Sequence, residues 1–461
     1  MNAAGAKPVV AVVGRPNVGK STLFNRLVGR RLALVHDEPG VKRDRHYADA
    51  RSLGRDYLLV DTGGFDPEVQ DEMGGGIRHQ LDIALAEADV VVCVLDAREG
   101  PTGVDGAAVD LLRRSAKPVV YFANKSDTAR HEQEASELYR LGVPQLVCGS
   151  ALHGRNVAEL ERAIVARLPA AVPARGGAEA GDGAPAPAAG GPGPALRVAV
   201  IGRPNAGKSS LVNHILGEER LLVDSKPGTT RDAIDVRVVR RRRELVLVDT
   251  AGLRRKASVA RGRSTLEALC VMGAIRALER AEIAVLVCDA AAGVAEQDAK
   301  ILGLAVDRGR AAVVALNKID LLGREARRAA ERQAREVLSF APWAPLCPLS
   351  ATTGRGAGQL LDTVLRVGAS YHQRVPTAEL NRFFEQVLAS HPPTTSGGRA
   401  PRLQYITQAC IAPPLFVVMA RGAGELHFSF QRYVVNSIRR SFGFEGVPVR
   451  VRYRPPRRRE R

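Results

Sequence analysis

Two stretches decide the fold: Gly14-Arg15-Pro16-Asn17-Val18-Gly19-Lys20-Ser21-Thr22 and, far downstream, Gly202-Arg203-Pro204-Asn205-Ala206-Gly207-Lys208-Ser209-Ser210. Each follows an apolar run, Val9–Val13 in the first case, and opens a helix-length stretch. Glycines in such a loop let backbone N–H groups turn inward around an anion. The lysine reaches the outer phosphates of a nucleotide, and the hydroxyl of Ser21 or Ser209 can ligate Mg²⁺. The helix that starts there adds its positive end at the same point. One copy could be chance in a Gly-rich chain; two copies in the same strand–loop–helix setting point to a duplicated phosphate-binding domain.

The repeat continues outward. Asn25 matches Asn213, Pro39-Gly40 matches Pro227-Gly228, and Asp61-Thr62-Gly63-Gly64 matches Asp249-Thr250-Ala251-Gly252, all at one constant spacing. Asp61 or Asp249, at the end of an apolar strand, can hold Mg²⁺ through water, and Gly64 or Gly252 can offer a backbone N–H to the γ-phosphate. Later motifs match at larger spacing, so the second copy carries insertions: Asn124-Lys125-Ser126-Asp127 with Asn317-Lys318-Ile319-Asp320, and Ser150-Ala151 with Ser350-Ala351. These read the base. The carboxylate of Asp127 or Asp320 accepts from guanine N1–H and the 2-amino group. Adenine has neither donor, so the acid would go unpaired against it. The lysine stem packs along the ring, the asparagine braces the phosphate loop, and the backbone at Ser150-Ala151 or Ser350-Ala351 faces guanine O6. Four ordered motifs, twice, select GTP and GDP over ATP.

Each copy alternates apolar runs with helix-length stretches. In the first, the runs are Val9–Val13, Tyr57–Val60, Val90–Leu95, Val119–Phe122 and Gln145–Cys148, and the helical stretches include Ser21–Leu27 and Gly76–Glu87. Continuous apolar runs are the mark of buried parallel strands, so the class is α/β with mostly parallel sheets. The chain of 461 residues divides into a first nucleotide domain at 1–170, a flexible Ala/Gly/Pro linker at 171–195, a second nucleotide domain at 196–374 and a C-terminal α+β unit at 375–461. A segment so poor in large apolar residues as the linker cannot bury enough surface to order itself.

Bulk properties bound the rest. A hydrophobic content of 45% and a charged content of 25% are ordinary for a globular chain. No apolar run reaches the length of a membrane span, and the N-terminus lacks a secretory cleavage pattern. Six cysteines, none in a CxxC pair, read as free thiols in a reducing cytoplasm, with Cys93 and Cys288 inside strand-like runs. The net charge of +18 is unusual, and residues 376–461 supply half of it, with 14 Arg and 5 Glu. Polyanions are the natural partners of such a surface.

With these motifs in place the sequence resembles the Der or EngA family of tandem bacterial GTPases, over nearly the whole chain outside the linker. The resemblance implies GTP hydrolysis, with GTP as substrate, GDP as product and Mg²⁺ as cofactor. It also implies a role in assembling the large ribosomal subunit, with that subunit and its rRNA as partners, in the cytoplasm and without a membrane. A monomer is expected. Thr230, in Pro227-Gly228-Thr229-Thr230-Arg231-Asp232, matches the switch threonine that completes the Mg²⁺ shell. Lys20, Lys208, Thr230, Gly64 and Gly252 are the expected catalytic positions. Ser21, Asp61, Ser209, Thr230 and Asp249 are the expected Mg²⁺ positions.

The pattern departs from the family at three places. Lys42 stands where the first copy should carry the switch threonine, and lysine has no oxygen for Mg²⁺, which makes the first copy the weaker switch. Asn156 replaces a glycine after Ser150-Ala151, and the second copy is less well matched around Leu266–Leu278. Phe65 and Leu253 occupy the position where Ras-like enzymes keep a water-orienting glutamine. Hydrolysis is therefore slow or uses another element. Related GTPases use a phosphate-loop asparagine to hold K⁺ where an arginine finger would otherwise sit, so Asn17 and Asn205 are K⁺ candidates; the alternative is that they only brace the loop.

In the C-terminal unit a helix from Thr377 presents Leu380, Phe383, Phe384 and Val387 and ends before Pro392-Pro393. Strands at Arg402–Thr407 and Leu415–Met419, a helix at Leu426–Phe442 and a strand at Val447–Val451 give the order α-β-β-α-β, which resembles the KH-like domain of the same family. Gly443-Phe444-Glu445-Gly446 spells the GxxG of RNA-clamping KH domains, yet it joins helix to strand and reads as a turn. The tail Arg452–Arg461 holds six Arg in ten residues, suited to a polyphosphate backbone or to solvent. Two functions follow: a GTP-hydrolysing switch on pre-ribosomal RNA, or a nucleotide-responsive RNA scaffold in which turnover is incidental.

Overall fold

The computed structural model describes residues 7–29, 47–62, 78, 81–82, 84–86, 88–115, 117–170, 195–218, 235–248, 263–393, 402–421 and 426–454. The first nucleotide-binding copy runs β1 (Val9–Val13), α1 (Lys20–Val28), β2 (Tyr47–Ser52), β3 (Arg55–Asp61), β4 (Val90–Asp96), α2 (Gly103–Arg114), β5 (Val119–Asn124), α3 (Ala129–Glu134), β6 (Leu146–Cys148) and α4 (Val157–Arg167). Its six-stranded sheet has the order β2-β3-β1-β4-β5-β6. Every pairing is parallel except β2 with β3. β2 was not among the apolar runs because it is an edge strand; its YADARS sequence buries only Ala50 and Ser52. Of the expected helix over 76–87, residues 78, 81–82 and 84–86 are described, and all are helical.

The second copy repeats the plan: β7 (Leu196–Ile201), α5 (Lys208–Glu218), β8 (Val236–Arg240), β9 (Arg243–Val248), α6 (Arg263–Arg280), β10 (Ile283–Asp289), α7 (Glu296–Asp307), β11 (Ala311–Asn317), α8 (Arg324–Val337), β12 (Leu346–Pro348) and α9 (Ala357–Tyr371). The sheet order β12-β11-β10-β7-β9-β8 is the same six-strand arrangement read from the other edge. In both sheets the strand before the glycine loop lies between the two strands where the order reverses. Open parallel sheets bind ligands at that switch point, beyond the carboxyl ends of the strands.

The C-terminal unit follows as α10 (Thr377–Ser390), β13 (Arg402–Ile411), β14 (Pro414–Arg421), α11 (Phe428–Phe442) and β15 (Arg450–Arg454). β13 pairs antiparallel with β14, and β15 pairs parallel with β14. The last strand lies later than the sequence suggests: the ladder starts with Arg450 opposite Leu415. Val447 and Val449 are buried by packing and not by strand pairing, which apolarity alone does not distinguish. The Gly443–Gly446 segment is a turn, with φ of 74° and 72° at its two glycines. Gly446 donates to the carbonyl of Trp343 at 2.9 Å and accepts from Ala312 N–H at 2.8 Å, so this turn is clamped to the second nucleotide domain.

Packing follows the same division. Val10, Val12, Leu23, Phe24, Val92 and Phe122 belong to one core. A second, continuous core runs from Leu196 and Val285 through Tyr371 and Val375 to Phe384, Phe416 and Val447. The second nucleotide domain and the C-terminal unit therefore share buried surface. All six cysteines are free; Cys93, Cys288 and Cys347 are buried as strand residues, whereas Cys410 is exposed. Burial pushes the Cys93 thiol up to about 12.

Candidate guanine-nucleotide sites

The first loop leaves β1 at Gly14 and enters α1 at Lys20. Its conformation is fixed by contacts far away in sequence. Gly19 has φ of 94°, and a Cβ there would lie 2.3 Å from the side-chain nitrogen of Asn124. Gly207 repeats this with φ of 95° and a clash at 2.1 Å with Asn317. Asn17 and Asn205 adopt φ of 63° and 60°, a left-handed conformation that asparagine tolerates better than most residues. Lys20 is buried, and its ammonium donates to the carbonyls of Gly14 at 2.7 Å and Arg15 at 2.8 Å. Three donors on an ammonium leave one more for a phosphate. Burial lowers the Lys20 pKa, with the Asp61 charge acting the other way.

Behind the loop, Ser21 Oγ donates to Asp61 Oδ2 at 2.9 Å, and Thr62 Oγ1 donates to the Val12 carbonyl at 2.7 Å. A hydroxyl and a carboxylate oxygen side by side, with phosphates to be added, suit Mg²⁺, which prefers one or two carboxylates plus substrate oxygens. These two residues would hold the metal, and it would neutralise charge building on the β- and γ-phosphates. Gly63 and Gly64 lie outside the described residues, as do Lys42 and Phe65.

The residues expected to read the base are assembled from three loops. Asn124 Nδ2 donates to the Val18 carbonyl at 2.7 Å, and its Oδ1 accepts from Ala151 N–H at 2.8 Å. One side chain thus ties the phosphate loop to the Ser150-Ala151 loop. Lys125, at φ of 68°, forms an ion pair with the buried Asp96 at 2.5 Å. Asp127 pairs with Arg98, and its other oxygen lies 3.9 Å from His153 Nε2. A hydrogen bond from Ser150 holds its carboxyl below the ordinary value, helped by the charges of Arg98 and His153. Asn156 takes the left-handed φ of 55° where the second copy has Gly356 at 86°, which accounts for asparagine at this position.

The second site reproduces these contacts. Lys208 donates to the Gly202 carbonyl at 2.8 Å and to the Arg203 carbonyl at 2.5 Å. Asn317 joins the Ala206 carbonyl at 2.9 Å to Ala351 N–H at 2.8 Å. Lys318, at φ of 66°, pairs with Asp289 at 2.5 Å. The base-edge acid differs: Asp320 is exposed, and among the described residues it forms no ion pair. Ala291 and Thr353 stand where the first copy has Arg98 and His153. Pro16, Thr22, Pro204, Ser209 and Ser210 lie in the described loops and helix starts. Thr230, Asp249, Thr250, Ala251, Gly252 and Leu253 lie outside the described residues.

Two acids at each site escaped the motif reading, Asp96 and Asp105 in the first and Asp289 and Asp298 in the second. Arg15 Nε lies 3.3 Å from Asp105 Oδ2, and Arg203 Nε lies 2.8 Å from Asp298 Oδ2. Both acids sit in the first turn of a helix, α2 or α7, and are 1% and 0% exposed. The Asp105 carboxylate also accepts from Thr102 Oγ1 at 2.7 Å, and Asp298 from Ala295 N–H at 3.0 Å. Burial raises the Asp298 pKa against the pull of that N–H and of Arg203. Each loop arginine is thus anchored to a buried acid, and the same arginine's carbonyl receives the catalytic-position lysine. Their signal was recurrence in both copies, Asp105 with Asp298 and Asp96 with Asp289, at positions that look like ordinary cap and strand-end acids.

The family model described as 50S ribosome-binding GTPase matches residues 9–125 and 197–318. That of the KH-domain-like C-terminal unit of EngA bacterial GTPase enzymes matches residues 374–454. GTPase Der of Syntrophotalea carbinolica is 43% identical over 454 residues, covering 98% of this chain and 100% of that protein. GTPase Der of Moorella thermoacetica is 44% identical over 455 residues, again with 98% and 100% covered. GTPase Der of Myxococcus xanthus is 43% identical over 449 residues, covering 96% and 95%.

Proposed function

Since this chain belongs to the GTPase Der family and is a GTP-hydrolysing enzyme, we propose that it acts as a GTP-driven switch in assembly and maturation of the large ribosomal subunit. The observation that carries the proposal is one chain with two guanine-reading frames of matching geometry and a KH-like unit. The family model's own description, ribosome-binding, and the Arg-rich C-terminal unit support an RNA partner. The chain works in the cytoplasm as a monomer. No described helix is long and apolar enough to cross a membrane.

At each site the phosphate-loop N–H groups, with Lys20 or Lys208, hold the β- and γ-phosphates. Ser21 and Asp61, and in the second site Ser209, Asp249 and Thr230, hold Mg²⁺. Asp127 and Asp320 accept from the guanine edge. Asn17 and Asn205 would hold K⁺, whose charge would offset the negative charge that builds up in hydrolysis. Their left-handed backbone gives asparagine a purely conformational reason to be there, so turnover in KCl against NaCl decides; equal rates defeat the K⁺ role. The functional parts are 1–170, the linker 171–195, 196–374 and 375–461.

The deciding measurement is co-sedimentation with large-subunit particles. Binding should require GTP or a non-hydrolysable analogue, and nucleotide-independent binding would count against a switch. The scaffold reading rests on Phe65 and Leu253 following the DxxG motifs. It predicts that Thr230→Ala, which should lower turnover, leaves subunit assembly normal.

A further inference from the structure

A groove of about 710 Å³ lies where the second nucleotide domain meets the C-terminal unit. Its walls come from three helices: Arg335 of α8, Arg366 of α9, and Arg439 and Arg440 of α11. Trp343, the single tryptophan of the chain, lines it too. The Arg439 guanidinium lies 4.9 Å from the centre of the indole ring. Arg335, Arg366 and Arg440 are exposed. The lining holds one acid, Glu445, whose carboxylate is 3.8 Å from Arg366. Four guanidinium groups against one carboxylate leave a strongly positive concavity.

We propose that this groove binds single-stranded RNA, with phosphates on Arg335 and Arg440 and a base on the indole–guanidinium platform. The idea rests on the RNA partner proposed above and assigns it a place. Guanidinium forks match phosphate oxygens, and aromatic rings or arginine planes accept unstacked bases of any sequence. The GxxG turn cannot serve as the clamp of an RNA-binding KH domain, because Gly446 is bonded on both sides to the second nucleotide domain. The turn instead forms one rim of the groove, with Gly443, Phe444 and Glu445 among its lining. The folding that occupies the usual RNA loop thus builds a basic site beside it.

The unique tryptophan makes the test direct. A short oligouridylate is titrated into the full chain, loaded with GDP and separately with a non-hydrolysable GTP analogue, while Trp343 fluorescence is followed. The expected result is saturable quenching whose affinity falls steeply with salt. Arg335→Glu with Arg440→Glu should weaken binding about tenfold or more and lower the salt slope by about one to two units. GTP turnover should be unchanged, since neither arginine touches a nucleotide site. Trp343→Phe should keep most of the affinity, measured by filter binding, and Trp343→Ala should lose about tenfold. Unchanged affinity in the charge-swapped chain, with loss on deleting residues 455–461, would overturn the groove and place RNA on the tail. An oligonucleotide that fails to bind the parent chain at all would overturn the RNA partner as well.

Discussion

At the residue scale, the specificity proposed above rests on one carboxylate per site. In that proposal Asp127 and Asp320 each offer two acceptors to guanine, and charge-assisted hydrogen bonds of this kind contribute about 1.5–3 kcal/mol apiece. Asp320→Asn, in a Lys20→Ala background that isolates the second site, should weaken GDP by about two to four orders of magnitude by those values. Xanthine carries a carbonyl in place of the 2-amino group, so the same variant should gain XDP binding; calorimetry with both nucleotides checks this. The buried anchors make a second prediction. Asp105→Asn leaves Arg15 with the exposed Glu99 in place of its buried acid, and truncating one partner of a buried pair is costly. In a Lys208→Ala background, KM for GTP should rise about tenfold or more with a smaller change in kcat, a split that loss of folded protein would not produce. Asp96 provides the pH counterpart. Burial pushes its carboxyl up, but Lys125 and nearby backbone N–H groups outweigh it and bring the net value below the ordinary 3.8. Its contribution is therefore full above that value and lost as pH falls through the lowered one. Asp96→Asn should lower thermal stability at neutral pH and converge on the parent in strong acid.

At the element scale, the glycines mark places where one element passes too close to another for a side chain. Gly207→Ala would drive a methyl group into Asn317, the residue that joins the second phosphate loop to the Ser350-Ala351 loop. Nucleotide binding at the second site should be lost while the first still binds GDP, giving half the stoichiometry by calorimetry. Gly446 is the matching case in the C-terminal unit. A Cβ there would lie 2.4 Å from Val367 of α9, on a backbone with φ of 72°. The left-handed conformation costs about 1–2 kcal/mol and overpacking about 1–3 kcal/mol more, so Gly446→Ala should lower the melting temperature by several degrees. An unchanged Tm would mean that the turn is not held as described. These contacts also explain what the sequence showed unevenly. Long apolar strands such as Val90–Asp96 were legible because they are buried on both faces; the edge strand Tyr47–Ser52 was not, because half of it faces solvent.

At the scale of the whole molecule, the C-terminal unit and the second nucleotide domain share one core, which predicts that they fold as one cooperative body. Their core is continuous through Tyr371, Val375 and Phe384, and Tyr371 Oη donates to the Gly309 carbonyl at 3.1 Å. A fragment spanning 195–461 should be folded and melt in a single transition. Residues 375–461 alone should show poor chemical-shift dispersion, because Val367 and Tyr371 would be missing from their core. Two separate transitions in the longer fragment would sink this reading.

The sequence by itself determined the number of nucleotide sites, the base they select and the α/β class. Those properties reside in short ordered motifs whose spacing is fixed by single strand–loop–helix units, and duplication made them unmistakable. It did not reveal that Arg15 and Arg203 are anchored to Asp105 and Asp298, because each pair joins elements far apart in the chain and its acids resemble ordinary helix caps. Nor did it decide the fate of Gly443–Gly446. Four letters compatible with an RNA clamp became a docking turn only because Ala312 and Trp343 supply the hydrogen bonds that hold Gly446, and that pairing exists only in three dimensions.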